Sequence, residues 1–330
     1  MKAILEHLYQ HKTFSKAEAK EILIEITLGK FNHLEIASFL TAFIMRNITL
    51  EELKGFREAL LELSVKIDLK DYLAMDLCGT GGDGKDTFNI STLASFVAAG
   101  AGVFIAKHGN YGVSSVSGSS NVLEALGIKF QATESKLKEQ LEKSNICFLH
   151  APMFHPAMKF VAPIRKELGV KTFFNMLGPL VNPIKPTIQM TGVFSLELAR
   201  MYHYIFQEDK IKYSIVHALD GFDEVSLTAS AKWINNEGEK IIDANYFGFN
   251  KITFSAIHGG YTVKESAKIF TDVIQGHGSE AQSHVVLANA AIAIQTYRPH
   301  LSIQESLDLA KDSLFGLKAL QSFNQLKNVV

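Results

Sequence analysis

The 330-residue sequence predicts an α/β fold: a mostly parallel sheet flanked by helices, preceded by a smaller all-α domain. Three observations carry that expectation. Residues 1–65 show helical periodicity and helix caps and little else. After Lys70, short apolar runs alternate with helical patterns, the rhythm of a parallel sheet covered on both faces. The first of these runs leads through a dense glycine loop into a helix.

In the helical region, Ser15 with Glu18 and Thr49 with Glu52 match the capping box, in which a hydroxyl and a carboxylate satisfy the free N–H groups of a helix start. Between them Ile36, Leu40, Phe43 and Ile44 recur at helical spacing. The spacing predicts four helices, at roughly 2–11, 16–28, 33–46 and 50–64.

Strands are expected at 74–77 (AMDL), 102–107 (GVFIAK), 145–150 (NICFLH), 188–194 (IQMTGVF) and 213–219 (YSIVHAL). Helices are expected from about Ser91, through Leu123 and Leu126, and at roughly 264–275, 280–296 and 302–313. The stretch 163–186 is helical and then proline-broken, and interrupts the alternation. The expected division is therefore residues 1–68 as the helical domain, with 163–186 returning to it, and 69–330 as the α/β domain. There is no internal repeat and no low-complexity segment.

With 47% hydrophobic residues the chain can bury a large core. Charged residues are 20% and nearly cancel at net −1, so nothing draws the protein toward nucleic acid or an anionic membrane at long range. The two cysteines, Cys78 and Cys147, lack metal-type spacing and read as buried thiols of a reducing compartment. The first residues, MKAILEHLYQHKTFSK, carry no signal-peptide pattern, and no stretch approaches a membrane span. A cytoplasmic globular enzyme is expected.

The segment DLCGTGGDGKDTFNIST (76–92) holds the most chemical information. Its glycines allow positive φ and close backbone approach, and the helix start that follows favours an anion. Gly79, Gly81 and Gly84 satisfy the dinucleotide fingerprint. That fingerprint also needs an acid ending the second strand, and here that strand ends in Lys107-His108. Gly79, Gly84 and Lys85 approach the P-loop pattern, but Asp86 stands where Ser or Thr should bind metal. An unliganded tight turn is the remaining competitor to a sugar-phosphate loop.

KHGNYGVSSVSGSSN (107–121) follows the second strand. One cation and many hydroxyls suit a phosphate monoester, and strand ends in α/β sheets converge on one crevice. Asp223-Glu224, at a further strand-to-loop junction, suits Mg²⁺ that also touches phosphates. Acidic pairs are usually solvated, but the flanking apolar residues suggest shelter here. His150 and His155 have the wrong spacing for a zinc site. His155, before Pro156, reads as a helix-start residue that contacts a ligand, and Arg165 suits a substrate carboxylate.

Taken together these segments resemble the anthranilate phosphoribosyltransferases, nearly end to end: GTGGDG with NIST, KHGN with SS and SG, HPAMK, VAPIRKELGVKTFFNMLGPLVNP, DEVSLT and the LANAA helix. The resemblance implies a nucleoside phosphorylase/phosphoribosyltransferase-like fold of two domains joined by a hinge, with the active site in the hinge cleft. It also implies a homodimer formed through the helical domain. The implied reaction converts anthranilate and phosphoribosyl pyrophosphate (PRPP) to N-(5-phosphoribosyl)anthranilate and pyrophosphate, in tryptophan biosynthesis, with two Mg²⁺ per subunit. The family pattern implies PRPP contacts at Gly79, Gly82, Asp83, Thr87, Asn89, Ile90, Ser91 and Thr92. It implies more at Lys107, His108, Gly109, Asn110, Tyr111, Gly112, Val113, Ser114, Ser115 and Ser119. Metal would sit on Ser91, Asp223 and Glu224, and anthranilate against Gly79, Asn110, His155 and Arg165. Three positions depart from the pattern: Tyr111 for a frequent arginine, Val116 for a frequent lysine and Asn121 for the usual aspartate.

Nothing in the sequence demands a covalent nucleophile. Anthranilate's amine is already neutral near pH 7, so orientation by Asn110 and Arg165 and in-line displacement with inversion are expected. Two other readings compete. A pyrimidine nucleoside phosphorylase would not need the Asp223-Glu224 metal site. A non-catalytic nucleic-acid-binding paralogue would need a basic stripe, which net −1 disfavours.

Overall fold

The structure, a computed structural model, describes residues 1–112 and 116–329. They form two compact units: Met1–Lys66 with Ala151–Pro183, and Ile67–His150 with Ile184 onward. The return to the helical unit thus spans 151–183 rather than 163–186. The strand ending at His150 gives way directly to a short helix, so the chain leaves the sheet earlier than its proline-broken stretch suggests.

The helical unit begins with α1 (Lys2–Tyr9), α2 (Lys16–Thr27), α3 (His33–Met45) and α4 (Leu50–Leu63). Both expected capping boxes form, and Asn32 with Glu35 makes a third at the start of α3. The core is an aromatic cluster. Phe39, Phe43 and Phe56 meet Phe173 from the returning segment, with the Phe56 and Phe173 ring centroids 4.4 Å apart. Ile36, Leu40 and Phe43 point inward, but Ile44 does not; it is exposed on α3 with Leu34 and Met45.

The second unit opens with β1 (Met75–Gly79), α5 (Ile90–Gly100), β2 (Ile105–Gly109), α6 (Ser119–Ala125), α7 (Glu134–Ser144) and β3 (Ile146–His150). The chain then contributes α8 (Ala151–Phe154) and α9 (Ala162–Leu168) to the helical unit. It resumes with β4 (Ile188–Gly192), α10 (Leu196–Glu208), β5 (Lys212–Ala218), β6 (Ala231–Asn235) and β7 (Gly238–Ile242). It closes with α11 (Val263–Ile274), α12 (Glu280–Tyr297), α13 (Ile303–Phe315) and α14 (Lys318–Asn328).

The sheet order is β3-β2-β1-β4-β5-β6-β7. Its first five strands pair parallel; β6 and β7 form an antiparallel hairpin at one edge, which the sequence reading did not anticipate. Helix α12, buried almost all round, forms the centre of the hydrophobic core of this unit.

One feature of this order positions the site. After β1 the chain steps outward through β2 to β3; after β4 it steps the opposite way to β5. The connections leaving β1 and β4 therefore diverge, which opens a crevice at the carboxyl ends of these two neighbours. Gly79 and Gly192 are register partners at those ends, and the Thr80 N–H donates to the Gly192 carbonyl at 3.0 Å.

Candidate active site

The loop after β5 lays Asp223 across both terminal glycines. A Cβ on Gly192 would overlap the Asp223 carbonyl, and one on Gly79 would come within 2.5 Å of Asp223 Oδ2. Close approach, not flexibility, requires glycine at these two positions.

Asp223 Oδ2 accepts the Gly81 N–H at 2.7 Å and the Thr80 hydroxyl at 3.5 Å. Glu224 Oε1 accepts the Ser91 N–H at 3.0 Å, at the start of α5. The expected phosphate at that helix start is thus preceded by the protein's own carboxylate, and the Ile90 N–H is bonded to the Phe88 carbonyl at 2.6 Å. A helix start attracts whichever anion the fold delivers first.

Asp223 and Glu224 are 7% and 9% exposed, so the pair is sheltered rather than solvated. Glu224 Oε2 is buried and has no hydrogen-bond partner. Burial, together with the Asp83 carboxylate, pushes Asp223 above the usual carboxylate range. Burial and the charges of Asp223 and Asp83 push Glu224 up in the same sense, outweighing the Ser91 N–H and Lys107. Carboxylates gathered out of water hold protons until a cation replaces them.

Lys107, for which a phosphate contact is expected, has an enclosed side chain whose ammonium donates to the Leu77 carbonyl at 2.5 Å. Burial pushes its pKa down, opposed by Cys78, Asp76, Glu224 and Asp223. It acts here as the counter-charge beneath the acidic pair. Ile90 and Thr92 are also buried, and the Ile90 side chain belongs to the hydrophobic core.

Around this centre, Asp83 accepts the Lys85 N–H at 3.1 Å, and Thr87 bridges to His258 beyond Gly82. The Asn89 amide donates to the Ser117 carbonyl at 3.2 Å, while its Oδ1 is buried without a partner. In the loop after β2, the His108 N–H donates to Asp76 at 3.1 Å, just before Gly109. The Asn110 carbonyl accepts the Ser120 N–H at 3.1 Å and the Ser119 hydroxyl at 3.4 Å. Asn121 Oδ1 accepts both the Gly112 and Gly118 N–H groups, at 2.9 and 3.0 Å. An amide oxygen thereby fills the acceptor role that an aspartate would have. Tyr111 is exposed, with its hydroxyl 3.4 Å from the Glu124 carboxylate and its ring edge-on to His150. Val113, Ser114 and Ser115 lie outside the described residues.

In the helical unit, the Arg165 guanidinium lies 5.1 Å over the Phe174 ring and 3.4 Å from Asn175 Oδ1. Burial pushes its pKa down to about 10, and among the described residues no carboxylate pairs with it. His155, at the start of a short helix, is 5% exposed. Burial lowers it to about 4 against backbone hydrogen bonds at Val181 and Leu60. The ring is an interior group of the helical unit.

Sequence reasoning missed Gly192 and Asn289. Gly192 stands alone in IQMTGVF, outside any glycine cluster, and only strand pairing gives it meaning. Asn289 on α12 bonds the backbone of Val225, the residue after the acidic pair. An asparagine within the apolar run VVLANAAIAI (285–294) was its one available signal.

Comparison with known proteins adds the following. Residues 2–64 match the family described as glycosyl transferase family, helical bundle domain, and residues 71–319 its a/b domain. An anthranilate phosphoribosyltransferase of Flavobacterium johnsoniae is 59% identical over 329 residues, covering 99% of each chain. One from Bacteroides thetaiotaomicron is 50% identical, over 99% of this chain and 100% of its own. Among solved structures, anthranilate phosphoribosyltransferase from Thermus thermophilus superposes with a TM-score of 0.90 at 30% identity, covering 99% of this chain and 98% of its own. The Saccharomyces cerevisiae enzyme in complex with PRPP and Mg also gives 0.90, at 28% identity, over 99% and 96%.

Proposed function

The chain belongs to the anthranilate phosphoribosyltransferases, and from that premise we propose how its own residues carry the reaction. The enzyme is a pentosyltransferase of tryptophan biosynthesis: it moves the phosphoribosyl group of PRPP to the amine of anthranilate and releases pyrophosphate.

The observation that carries our reading is the sheltered Asp223-Glu224 pair, held on the glycine loop by the Gly81 N–H and on α5 by the Ser91 N–H. Among the described residues Asp83, Asp223 and Glu224 face Lys107 as counter-charge, which leaves an excess of negative charge, and one buried oxygen has no partner. That donor set fits a hard cation. Among the described residues no group of three such side chains suffices to hold a metal alone, so substrate oxygens would have to share it. Asp223, Glu224 and the Ser91 hydroxyl would be the protein ligands of two magnesium ions per subunit. Magnesium held there would supply positive charge to offset that of the departing pyrophosphate.

The loop from Gly79 through Asp83, with Thr87 and Asn89, holds the pyrophosphate of PRPP; the Asn89 oxygen that lacks a partner supports this. The loop from His108 to Ser119 holds the remainder of PRPP. Arg165, a half-buried guanidinium that no carboxylate pairs with among the described residues, receives the carboxylate of anthranilate. Orientation, not a covalent nucleophile, brings the amine to C1. Leu34, Ile44 and Met45 exposed together on α3 support a homodimer through the helical unit. Two unpaired buried thiols, and the absence among the described residues of a helix able to cross a membrane, support a cytoplasmic location.

The test is product analysis with anthranilate, PRPP and Mg²⁺, which should give N-(5-phosphoribosyl)anthranilate inverted at C1. Retention at C1 would sink the direct displacement. A phosphorylase would turn over inorganic phosphate without magnesium, and that outcome would overturn the role of the acidic pair.

A further inference from the structure

Helix α12 is enclosed by core residues along most of its length, yet Asn289 sits inside it at 2% exposure. A buried asparagine in a helix interior costs stability unless its polar atoms are bonded. Here both amide protons are used: Nδ2 donates to the Val225 carbonyl at 2.9 Å and to the Val285 carbonyl at 2.8 Å. Oδ1 accepts the Val225 N–H at 3.1 Å. One side chain thus bonds both backbone groups of a single residue, as a neighbouring strand would.

Val225 immediately follows Glu224. Among the described residues, Asn289 is the only side chain that bonds its main chain. The rest of the loop is tied further out. The Thr228 hydroxyl donates to Asp220 at 2.5 Å, and the Leu227 carbonyl, on a residue with φ of 59°, accepts the Ile252 N–H at 3.1 Å. Between those ties Asp223 and Glu224 sit side by side out of water, their side chains each held by one backbone N–H, from Gly81 and from Ser91. The amide of Asn289 adds a hold on the main chain itself, at the residue next to Glu224.

We propose that Asn289 is a positioning residue for the metal-binding pair: by clamping Val225 it holds Asp223 and Glu224 converged before any cation arrives. The inference rests on the reading of that pair as metal ligands. It assigns the LANAA helix a share in metal affinity, whereas a purely structural asparagine would contribute to stability alone.

The experiment titrates Mn²⁺, followed by the resonance of the free ion, against the full-length protein with saturating PRPP. Asn289→Ala should weaken Mn²⁺ binding about 10-fold to 100-fold, the usual effect of removing a group that orients metal ligands. Asn289→Ser, whose hydroxyl can bond the Val285 carbonyl but not Val225, should do the same with less loss of folding. Ile294→Ala, a cavity elsewhere on α12, should lower Tm comparably and leave the Mn²⁺ midpoint unchanged. Wild-type midpoints in both Asn289 variants, with binding lost in Asp223→Asn/Glu224→Gln, overturn the inference alone. Wild-type binding in that double acid variant overturns the ligand reading and the inference with it. A midpoint shift in Ile294→Ala equal to that of the Asn289 variants also overturns the inference, because any damage to α12 would then suffice.

Discussion

Two buried glutamates, one in each unit, have opposite electrostatic fates. Glu52 on α4 is fully enclosed, but both its oxygens are taken. Arg46 pairs with them, the Phe14 N–H reaches one at 3.0 Å, and the Thr49 N–H and hydroxyl reach the other at 2.9 Å. Burial alone would raise its pKa; the bonds from Arg46, Phe14 and Thr49 outweigh that and lower it. Glu224 has one N–H for one oxygen and nothing for the other, and its pKa is driven up. Burial is common to both. What marks a site is demand that the fold leaves unmet.

The comparison can be broken by removing each acid in turn. The largest effect is expected for Asp223→Asn with Glu224→Gln, which should abolish magnesium-stimulated turnover, as a Mg²⁺ titration of the rate will show. The same change should stabilise the metal-free protein. A carboxyl whose pKa is raised on folding binds more protons folded than unfolded, so stability falls as pH rises above the ordinary carboxylate range. The double variant should lose that fall, and its Tm without metal should exceed that of wild type at pH 8. Glu52→Gln should do the reverse: stability drops by about 3–5 kcal/mol, read by urea unfolding, because Arg46 is left without its partner. Its magnesium midpoint should not move.

Arg165 sharpens the comparison from the cationic side, because among the described residues no carboxylate pairs with it. Arg165→Ala should raise KM for anthranilate about 10-fold to 100-fold, the worth of a hydrogen bond between charged groups, with KM for PRPP unchanged. A selective effect on PRPP would mean that the guanidinium serves the other substrate. The smallest effect concerns His155, a group whose needs are met inside. Its folded pKa of about 4 lies below the unfolded value near 6.5, so its contribution is complete above pH 6.5 and fades as pH falls toward 4. His155→Phe should flatten acid-induced unfolding across that window and leave kcat at pH 8 unaltered.

The legible parts of this molecule were those written in neighbouring residues. Capping boxes such as Thr49 with Glu52, the strand–glycine–helix passage at 75–100 and the Asp223-Glu224 pair are local patterns with local physics. The illegible parts depend on partners far along the chain. Phosphate was expected at the start of α5, but Glu224 takes the Ser91 N–H from more than a hundred residues away. The enclosure of Lys107 beside Leu77 comes from the parallel pairing of β2 with β1, which no local pattern announces. The β6–β7 hairpin escaped notice because its outer strand is mostly exposed and lacks an apolar face. Ile44 fits the helical spacing of its neighbours but falls at the edge of their stripe, about 100° round α3 from Phe43, and is exposed there.

The pairing of Gly79 with Gly192 also sets a timetable for synthesis. When the glycine loop leaves the ribosome, its strand partner has yet to be made, and the 151–183 excursion into the helical unit intervenes. The acids follow β5, and Asn289 follows them by more than sixty residues. Contacts so distant in sequence form slowly, since a long loop must close before any of them forms. A nascent chain therefore carries the phosphate loop well before it carries charge to bind a cation, and metal capture can report that the second unit has finished folding.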